Sequence, residues 1–342
     1  MNATKLLLLS LCSLIPSLPS TDPAAVEDQL EVRVLDVGPG LACIAKIPGE
    51  GNKSHYFVYD AGHWNTDNYV LSALEDMMGD DEVVDLMVLS HSDSDHLGAV
   101  DEICDSFTVK RVIRSGMKRT TATWQNSDRA IKLEKELEGC IDINLSKWEF
   151  PSGATYRIGD AFLTMVCGFG EPPKSFKTKG KGEFRNAGSI IMRLVYGGKS
   201  ILFCGDAVGR HLDSPANTCI ATEKFMVDRS EVIKIDSDVI VAPHHGANNG
   251  SSEKFIEKVS PEFVIFGAGH DHQHPTAAAA QRYLDAGVDL AKMFRTDLGD
   301  DESDEGDFEW DHGRVDGNSD KGKDDEVLVT ISESGTIAVK YD

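Results

Sequence analysis

Residues 83–96 read VVDLMVLSHSDSDH, an apolar run that ends in a cluster of polar side chains. The run 83–89 predicts a buried strand, and the cluster falls in the loop that follows it. Alternate residues of an extended segment share a face, so the side chains at 91, 93 and 95 point the same way. Two imidazoles and two carboxylates so close together are costly to bury without a compensating cation. The segment therefore predicts a strand that leads into a metal-binding loop containing His91, Asp93, Asp95 and His96.

Polar clusters follow three further apolar runs. Gly205-Asp206 follows the run 201–204, His244-His245-Gly246 follows 239–242, and a His-rich loop at 270–274 follows 263–266. We expect these strand ends to deliver His and Asp side chains to one edge of the fold. The pattern predicts a dinuclear site in which Asp206 bridges two cations roughly 3.5–4 Å apart.

The hydrophobic pattern predicts an α/β fold. Leu30, Val32 and Val34 alternate with charged residues, as in a half-buried strand. Strands dominate the start of each half of the chain. Helical patterns appear later in each half, at 66–78, 127–138, 251–259 and 276–286. Two mixed sheets packed face to face, with helices outside, fit this order better than one open parallel sheet.

Composition excludes several classes of protein. Of the 342 residues, 41% are hydrophobic and 27% are charged, which is typical of a globular protein and not of a disordered or multi-span membrane chain. A net charge of −23 argues against a general nucleic-acid coat protein. Residues 297–326 hold 14 acidic and 3 basic side chains and predict a solvated insertion. A calcium-binding loop is the alternative, although the twelve-residue calcium-loop pattern is missing.

The N-terminus has the pattern of a secretory signal. Lys5 precedes a short apolar run and a small-residue stop near Ser20, so residues 1–20 predict a cleaved signal peptide, with a retained anchor as the alternative. The mature protein would then be secreted or periplasmic. We expect a linker at 21–29 and one domain at 30–342. Its six cysteines allow many disulfide pairings, among which the sequence cannot choose.

Several of these motifs resemble a known superfamily. The His-x-Asp-x-Asp-His segment, Tyr59-Asp60-Ala61-Gly62, Gly205-Asp206 and His244-His245-Gly246 are similar to those of the metallo-β-lactamase superfamily. Further details resemble the hydrolase domain of ComEC-type DNA-uptake proteins: residues 35–40, Asn186 with Ser189, His274-Pro275, and Arg295-Thr296-Asp297. The resemblance implies a metallo-β-lactamase-like αββα sandwich over residues 30–342.

The resemblance also implies roles for individual residues. His91 and Asp93 would hold one metal, Asp95, His96 and His244 the other, and Asp206 both. Asp60 would brace the metal loop by hydrogen bonds. Most members of the superfamily have His where this chain has Asp93, and the oxygen-richer ligand set makes manganese an option beside zinc. The candidates for contacting substrate or protonating the leaving group are His245, His274, Asn186 and Ser189.

The implied function is hydrolysis of a phosphodiester in DNA or RNA by metal-bound hydroxide. The basic stretch 174–185 could contact the nucleic-acid backbone through Lys177, Lys179, Lys181 and Arg185, although a solvated loop is an equal interpretation. Two alternatives remain open. The same fold could hydrolyse a lactone, thioester or β-lactam, or the chain could be a catalytically idle DNA-binding or uptake accessory. Unlike ComEC-type proteins, the sequence contains no membrane channel.

Overall fold

The computed structural model describes residues 28–81, 83–147, 151–215, 217–269, 272, 274–298 and 325–342. The predicted signal peptide, most of the predicted linker, His270 and residues 299–324 of the acidic segment lie outside these ranges. The first described strand begins at Gln29, one residue before the predicted start of the domain.

The first half of the chain contains eight strands and three helices among the described residues. In chain order they are β1 (Gln29–Val34), β2 (Ala42–Gly49), β3 (Lys53–Ala61), α1 (Asp67–Met78), β4 (Val83–Val84), β5 (Leu86–Leu89), α2 (Val100–Ser106), β6 (Thr108–Val109), β7 (Arg111–Arg114), α3 (Ala122–Leu137) and β8 (Ile141–Asn144).

The second half, over the part that the structure describes, adds nine strands and four helices. They are β9 (Ala154–Ile158), β10 (Ala161–Cys167), α4 (Gly180–Asn186), β11 (Ile191–Tyr196), β12 (Lys199–Phe203), α5 (Ala221–Arg229), β13 (Val239–Val241), α6 (Glu253–Val259), β14 (Phe263–Phe266), α7 (Ala277–Asp285), β15 (Met293–Arg295), β16 (Val327–Ser332) and β17 (Ile337–Tyr341).

Fifteen of these strands form two large mixed sheets, and β4 pairs with β6 in a separate two-stranded sheet. One large sheet has the order β17-β16-β1-β2-β3-β5-β7-β8, and the other has the order β15-β14-β13-β12-β11-β10-β9. The first is antiparallel from β17 to β3 and parallel from β3 to β8. The second is antiparallel from β9 to β12 and parallel from β12 to β15. In the parallel parts, neighbouring strands end at the same edge, which is where loops can meet.

The main apolar core lies between the two sheets. Leu30, Val32 and Val34 of β1 pack there with Leu163 of β10 and Phe203 of β12. A second core joins the outer face of the first sheet to α1–α3, and a third joins the outer face of the second sheet to α5–α7. The order of layers is therefore helices, sheet, sheet, helices, which confirms the predicted αββα sandwich.

The structure differs from the sequence prediction mainly in local elements. The sequence pattern of residues 155–166 predicts one strand, but the structure has a hairpin there, β9–β10, because Gly159 adopts a left-handed φ of 54° and turns the chain. Helix α3 begins at Ala122 rather than near residue 127. Helices α4 and α5 were not predicted. Two glycines lower the intrinsic helix propensity of α4, so its sequence resembles a loop.

Two further features concern the hydrophobicity of the helices and the cysteines. Among the described helices, none has the length and hydrophobicity that a membrane span requires. The six cysteines from Cys43 to Cys219 are all free thiols, so the structure contains no pairing among them.

Candidate metal centre

The candidate site lies where β5, β12 and β13 end. The loop after β5 contributes His91, Asp95 and His96, the loop after β12 contributes Asp206, and the turn after β13 contributes His244 and His245. The two strands β12 and β13 run parallel, so their carboxyl ends point to the same edge of the sandwich. Loops more than 100 residues apart in sequence are therefore brought to one point.

One oxygen of Asp206 faces two imidazoles and a second carboxylate. Asp206 Oδ1 lies 3.2 Å from His96 Nε2 and 3.3 Å from His245 Nε2. Asp95 Oδ2 lies 3.7 Å and 3.8 Å from the same two nitrogens. One ligand atom from each of these four residues lies within 4.8 Å of all the others, a spacing that a single metal ion can bridge.

The other oxygen of Asp206 faces a second pair of imidazoles. Asp206 Oδ2 lies 3.5 Å from His91 Nε2 and 3.5 Å from His244 Nε2. The Asp206 carboxylate thus stands between two groups of histidines, one on each oxygen. This is the position that a carboxylate shared by two cations requires.

Each of the four imidazoles is held through its Nδ1 atom, which leaves Nε2 directed into the site. His96 Nδ1 lies 2.8 Å from Asp60 Oδ2, and His91 Nδ1 lies 3.0 Å from Ser90 Oγ. The corresponding partners are Gly267 O for His245 and Asn249 Oδ1 for His244, both at 2.6 Å. Acceptors at Nδ1 favour the tautomer that carries its lone pair on Nε2, which is the form that binds a metal ion.

Several buried atoms of the site have no hydrogen-bond partner among the described residues. They include Nε2 of His91, His96 and His245, together with Oδ1 of Asp206. Buried polar atoms are rarely left unsatisfied, because each one loses its hydration without replacement. Three buried imidazole nitrogens around a buried carboxylate oxygen are the donor set that a divalent cation satisfies. The residues present therefore fit a metal centre.

Charge and burial set the protonation of these groups. Burial lowers the pKa of His91 and of His245, so both imidazoles are neutral near pH 7. Although burial opposes it, His244 and the other nearby histidines hold the pKa of Asp206 well below its usual value. Burial also opposes protonation of His96, but Asp206 and Asp60 raise its pKa well above the ordinary value. A cation bound here would take the place of that proton.

Asp60 braces the loop that carries His91 and His96. Its Oδ1 accepts the Ser90 backbone N–H at 2.6 Å, and its Oδ2 accepts the Ser90 hydroxyl at 2.7 Å in addition to His96 Nδ1. The side chain is fully buried. Asp60 thus lies behind the metal loop, where the resemblance places the bracing carboxylate.

The backbone is strained in the turn after β13, which carries two histidines of the site. His244 and His245 both have positive φ values, 51° and 56°. Residues other than glycine avoid this region, at a cost of roughly 1–3 kcal/mol each. The His244 N–H donates to Gly205 O at 2.8 Å, which ties this turn to the loop of Asp206. Gly205 is needed there, because a Cβ atom would lie 2.6 Å from Ser90 Cβ.

Asp93 lies apart from the four-residue group. Its carboxylate accepts hydrogen bonds from Arg119 Nη1 and Arg185 Nε, both at Oδ1, and from Arg185 Nη2 at Oδ2, 3.1 Å away. Although burial opposes it, His91 and the two guanidinium groups lower the pKa of Asp93. In this structure Asp93 therefore joins the metal loop to two arginines.

The remaining substrate candidates have distinct positions. Asn186 Nδ2 lies 3.2 Å from both Asp206 Oδ2 and His244 Nε2, so this amide lies within the site. Ser189 is buried, and its Oγ accepts the Asp206 backbone N–H at 3.1 Å, which makes it a brace for Asp206. His274 lies with its ring 5.7 Å from that of His244. Burial, together with His245 and His244, lowers the pKa of His274 to about 3.

The predicted phosphate contacts divide into two pairs. Lys181 and Arg185 line a cleft next to Asp93. Lys179 forms a surface ion pair with Asp213 at 2.9 Å, and Lys177 is exposed at the end of a short 3₁₀ turn, Lys174–Phe176. Helix α4, rather than a loop, carries Lys181 and Arg185.

The structure groups the histidines differently from the sequence analysis. His245, rather than His244, stands with Asp95 and His96, while His244 stands with His91. Two contacts were not predicted from the sequence: that of Asn249, which orients His244, and that of Arg119 with Asp93. The sequence signal for the contact of Asn249 with His244 was the polar pair Asn248-Asn249, which comes shortly after His244-His245-Gly246. No local sequence signal indicated the pairing of Arg119 with Asp93.

Comparison with known proteins supports the resemblance. The family model of the metallo-beta-lactamase superfamily matches residues 50–130, which contain Asp60 and the whole metal loop. Over this quarter of its length the chain is similar to the metallo-β-lactamase superfamily. This similarity supports a hydrolase with a metal-binding site.

The chain is also similar to two competence proteins, which agrees with the predicted resemblance to ComEC-type proteins. It is 34% identical over 115 residues to competence protein ComA of Neisseria gonorrhoeae, covering 33% of this chain and 14% of that protein. It is 23% identical over 192 residues to ComE operon protein 3 of Bacillus subtilis strain 168, covering 56% of this chain and 21% of that protein. The matched region is therefore a small part of both relatives.

Among solved structures, CmlA, a diiron beta-hydroxylase from Streptomyces venezuelae, is similar with a TM-score of 0.43 and 16% identity. The match covers 79% of this chain and 52% of CmlA. Igni18, a metallo hydrolase of Ignicoccus hospitalis, has a TM-score of 0.41 and 15% identity, with 77% of this chain and 94% of Igni18 covered. Structural similarity with TM-scores and sequence identities as low as these does not bear on function.

Replacing the brace of the metal loop should weaken metal binding without unfolding the protein. Asp60→Asn removes one acceptor from a set that holds Ser90 and His96, and we expect the affinity for zinc or manganese to fall about 10–100-fold. Competition titration with a chromogenic chelator measures this change.

Asp85→Asn is the matched control. Asp85 accepts a backbone N–H from Tyr56 and lies 3.1 Å from His55 Nδ1, but it precedes β5 and so lies at the opposite end of that strand. Equal metal affinity in the two variants would show that Asp60 has no bracing role.

Proposed function

We propose that this chain is an exported hydrolase that uses two divalent metal ions, zinc or manganese, to cleave phosphodiester bonds in nucleic acid. The observation that carries the proposal is the set of buried atoms without partners: Nε2 of His91, His96 and His245 around Oδ1 of Asp206. Such a set is costly to maintain in a protein that does not bind cations.

The geometry favours a particular division of ligands. Asp95, His96 and His245 would hold one ion on Asp206 Oδ1. His91 and His244 would hold the other on Asp206 Oδ2. Asp93 is left out of this set, because its carboxylate is engaged by two arginines.

The chemistry that such ions supply is Lewis acidity, which activates water and neutralises charge on a phosphoryl group. The chain's own residues do the rest. Asp60, Ser90, Asn249 and the Gly267 carbonyl fix the imidazoles. The Asn186 amide lies close enough to the Asp206 carboxylate to donate a hydrogen bond to a bound substrate oxygen. His274, at the rim beside His244, is the further candidate for contact with substrate.

Two observations favour an anionic phosphodiester as the substrate. The cleft beside the site contains Lys118, Arg119, Lys181 and Arg185, although the chain as a whole is strongly acidic. The resemblance to ComEC-type DNA-uptake proteins, together with the similarity to competence protein ComA, points to nucleic acid. Export rests on the signal-like residues 1–20.

A substrate panel tests the proposal. Purified chain, loaded separately with Zn²⁺ and Mn²⁺, is assayed on bis-p-nitrophenyl phosphate, single- and double-stranded DNA, RNA and nitrocefin. We expect metal-dependent cleavage of the phosphodiesters and none of nitrocefin. A His96→Ala preparation, purified in parallel, controls for contaminating nucleases.

The alternatives give different results in the same panel. Turnover of nitrocefin without phosphodiester cleavage would assign the site to β-lactam hydrolysis. DNA binding without any turnover, unaffected by His96→Ala, would indicate an accessory protein instead of an enzyme.

A further inference from the structure

A cleft of about 770 Å³ opens beside the metal centre. It lies between residues 116–120, which follow β7, and helix α4. Pockets that bind small molecules have volumes of roughly 300–1,000 Å³. The cleft is therefore much larger than a single phosphate group needs and is large enough for a nucleotide.

Two arginines connect this cleft to the metal loop. Arg119 and Arg185 come from different halves of the chain, and both donate to Oδ1 of Asp93. Asp93 is two residues from His91 and two from Asp95, so the guanidinium groups are fixed at the edge of the metal centre. Arg185 also directly precedes Asn186, whose amide lies 3.2 Å from Asp206 Oδ2.

The combined positive charge of the two guanidinium groups exceeds the single negative charge of Asp93, the carboxylate that they share. Arg119 contacts Asp93 through Nη1, and both arginines remain partly exposed and line the cleft. Exposed Lys118 and Lys181 add two further cations, against one carboxylate, Glu171. The cleft is thus a positively charged surface on an acidic protein, and guanidinium groups bind phosphate oxygens in a favourable planar geometry.

The cleft also contains apolar surface. Phe184 and Met117 line it and are partly exposed. Phe184 and Arg185 of α4 both line the cleft, so an aromatic ring and a guanidinium group occur in the same lining. Proteins that bind single-stranded nucleic acid combine these two features, with bases stacked on aromatic rings and cations along the backbone.

We propose that this cleft binds the nucleotide next to the scissile phosphodiester of a single-stranded chain, with Arg119 and Arg185 on its phosphate and Phe184 against its base. The inference rests on the proposed function and extends it, since it makes an oligonucleotide rather than an isolated phosphodiester the substrate. Asp93 is then a positioning residue that holds the two arginines beside the metal loop.

Binding measurements test the cleft separately from catalysis. Metal-loaded chain is titrated into a fluorescein-labelled single-stranded oligothymidylate whose phosphorothioate linkages slow hydrolysis, and anisotropy is followed over a range of salt concentrations. Arg119→Gln should weaken binding about tenfold. It should also reduce the slope of log K against log salt by about 0.7, the value for one phosphate contact of a single strand.

Phe184→Ala provides a second, independent signature. Loss of a stacked base should weaken binding about tenfold while leaving the salt slope unchanged, since no phosphate contact is removed. The control is Arg129→Gln, an exposed arginine on α3 that bonds Asn126 outside the cleft and should change neither quantity. Thermal melting of each variant establishes that it is folded.

The outcomes separate this proposal from the proposed function. If Arg119→Gln behaves like Arg129→Gln, or if the wild-type chain does not bind the oligonucleotide, the nucleotide subsite is wrong even where bis-p-nitrophenyl phosphate is cleaved. If the two signatures appear but the panel shows no phosphodiester cleavage, the cleft is established and the hydrolase proposal fails.

Discussion

Asp206→Asn is expected to reduce phosphodiester hydrolysis about a thousandfold, which corresponds to several kcal/mol of lost transition-state stabilisation. Both oxygens of this carboxylate face imidazole nitrogens, two on each side, at 3.2–3.5 Å. An asparagine amide at this position has no negative charge, and it has one acceptor oxygen for the two pairs of imidazoles instead of two. The variant is assayed for kcat/KM on the best substrate of the panel and for bound metal.

Asp238→Asn is the matched control for this prediction. Asp238 also links β12 to β13, through Lys199 and Ser200, but it precedes β13 and so lies at the opposite end of these strands from Asp206. We expect this variant to retain activity. Full activity in Asp206→Asn would remove the bridging role and with it the proposed arrangement of metals.

Chelation of the metal ions is expected to abolish turnover and to lower the thermal unfolding midpoint. Ions that bind only the folded state stabilise it by about 4 kcal/mol at a thousandfold excess over Kd, so their removal should shift the midpoint by on the order of 10 °C. The physical reason is that His91, His96 and His245 each keep a buried nitrogen without a partner when no ion is bound. Scanning calorimetry with and without a dipicolinate wash measures the shift.

The chelation result has an internal control. Asp206→Asn should show little or no shift on treatment with the chelator, because it has already lost the carboxylate that both ions share. Readdition of Zn²⁺ or Mn²⁺ should restore the midpoint and the activity of the wild-type chain only. A wild-type midpoint that does not respond to the chelator would contradict a stabilising metal centre.

Much of the fold could be predicted because its signals are local. Strand β14 has the predicted bounds, Phe263–Phe266, since a short apolar run lies between Pro261-Glu262 and a glycine-containing loop. Helix α1 ends where Gly79, with a positive φ, stops the helical pattern. The hairpin β9–β10 was missed although its two-residue turn, Gly159-Asp160, interrupts the apolar pattern and is a recognised hairpin signal.

The candidate site could be predicted only in part. Ligand types and strand ends are visible in the sequence, and they identified the loops of His91, Asp206 and His244. Which of two consecutive histidines faces Asp95 depends on a strained turn with two positive φ values, which sequence does not reveal. Asp93 pairs with Arg119, 26 residues away, because β5 and β7 are neighbours in one sheet. Its pairing with Arg185, 92 residues away, depends on how the two halves of the chain pack.

The central claim is that the six-residue cluster of His91, Asp95, His96, Asp206, His244 and His245 holds two divalent ions. Its most direct test is the metal content of the purified chain, measured by inductively coupled plasma mass spectrometry after loading and removal of free ions. We predict about two ions of zinc or manganese per chain. A chain that hydrolyses its substrate and contains none would contradict the account.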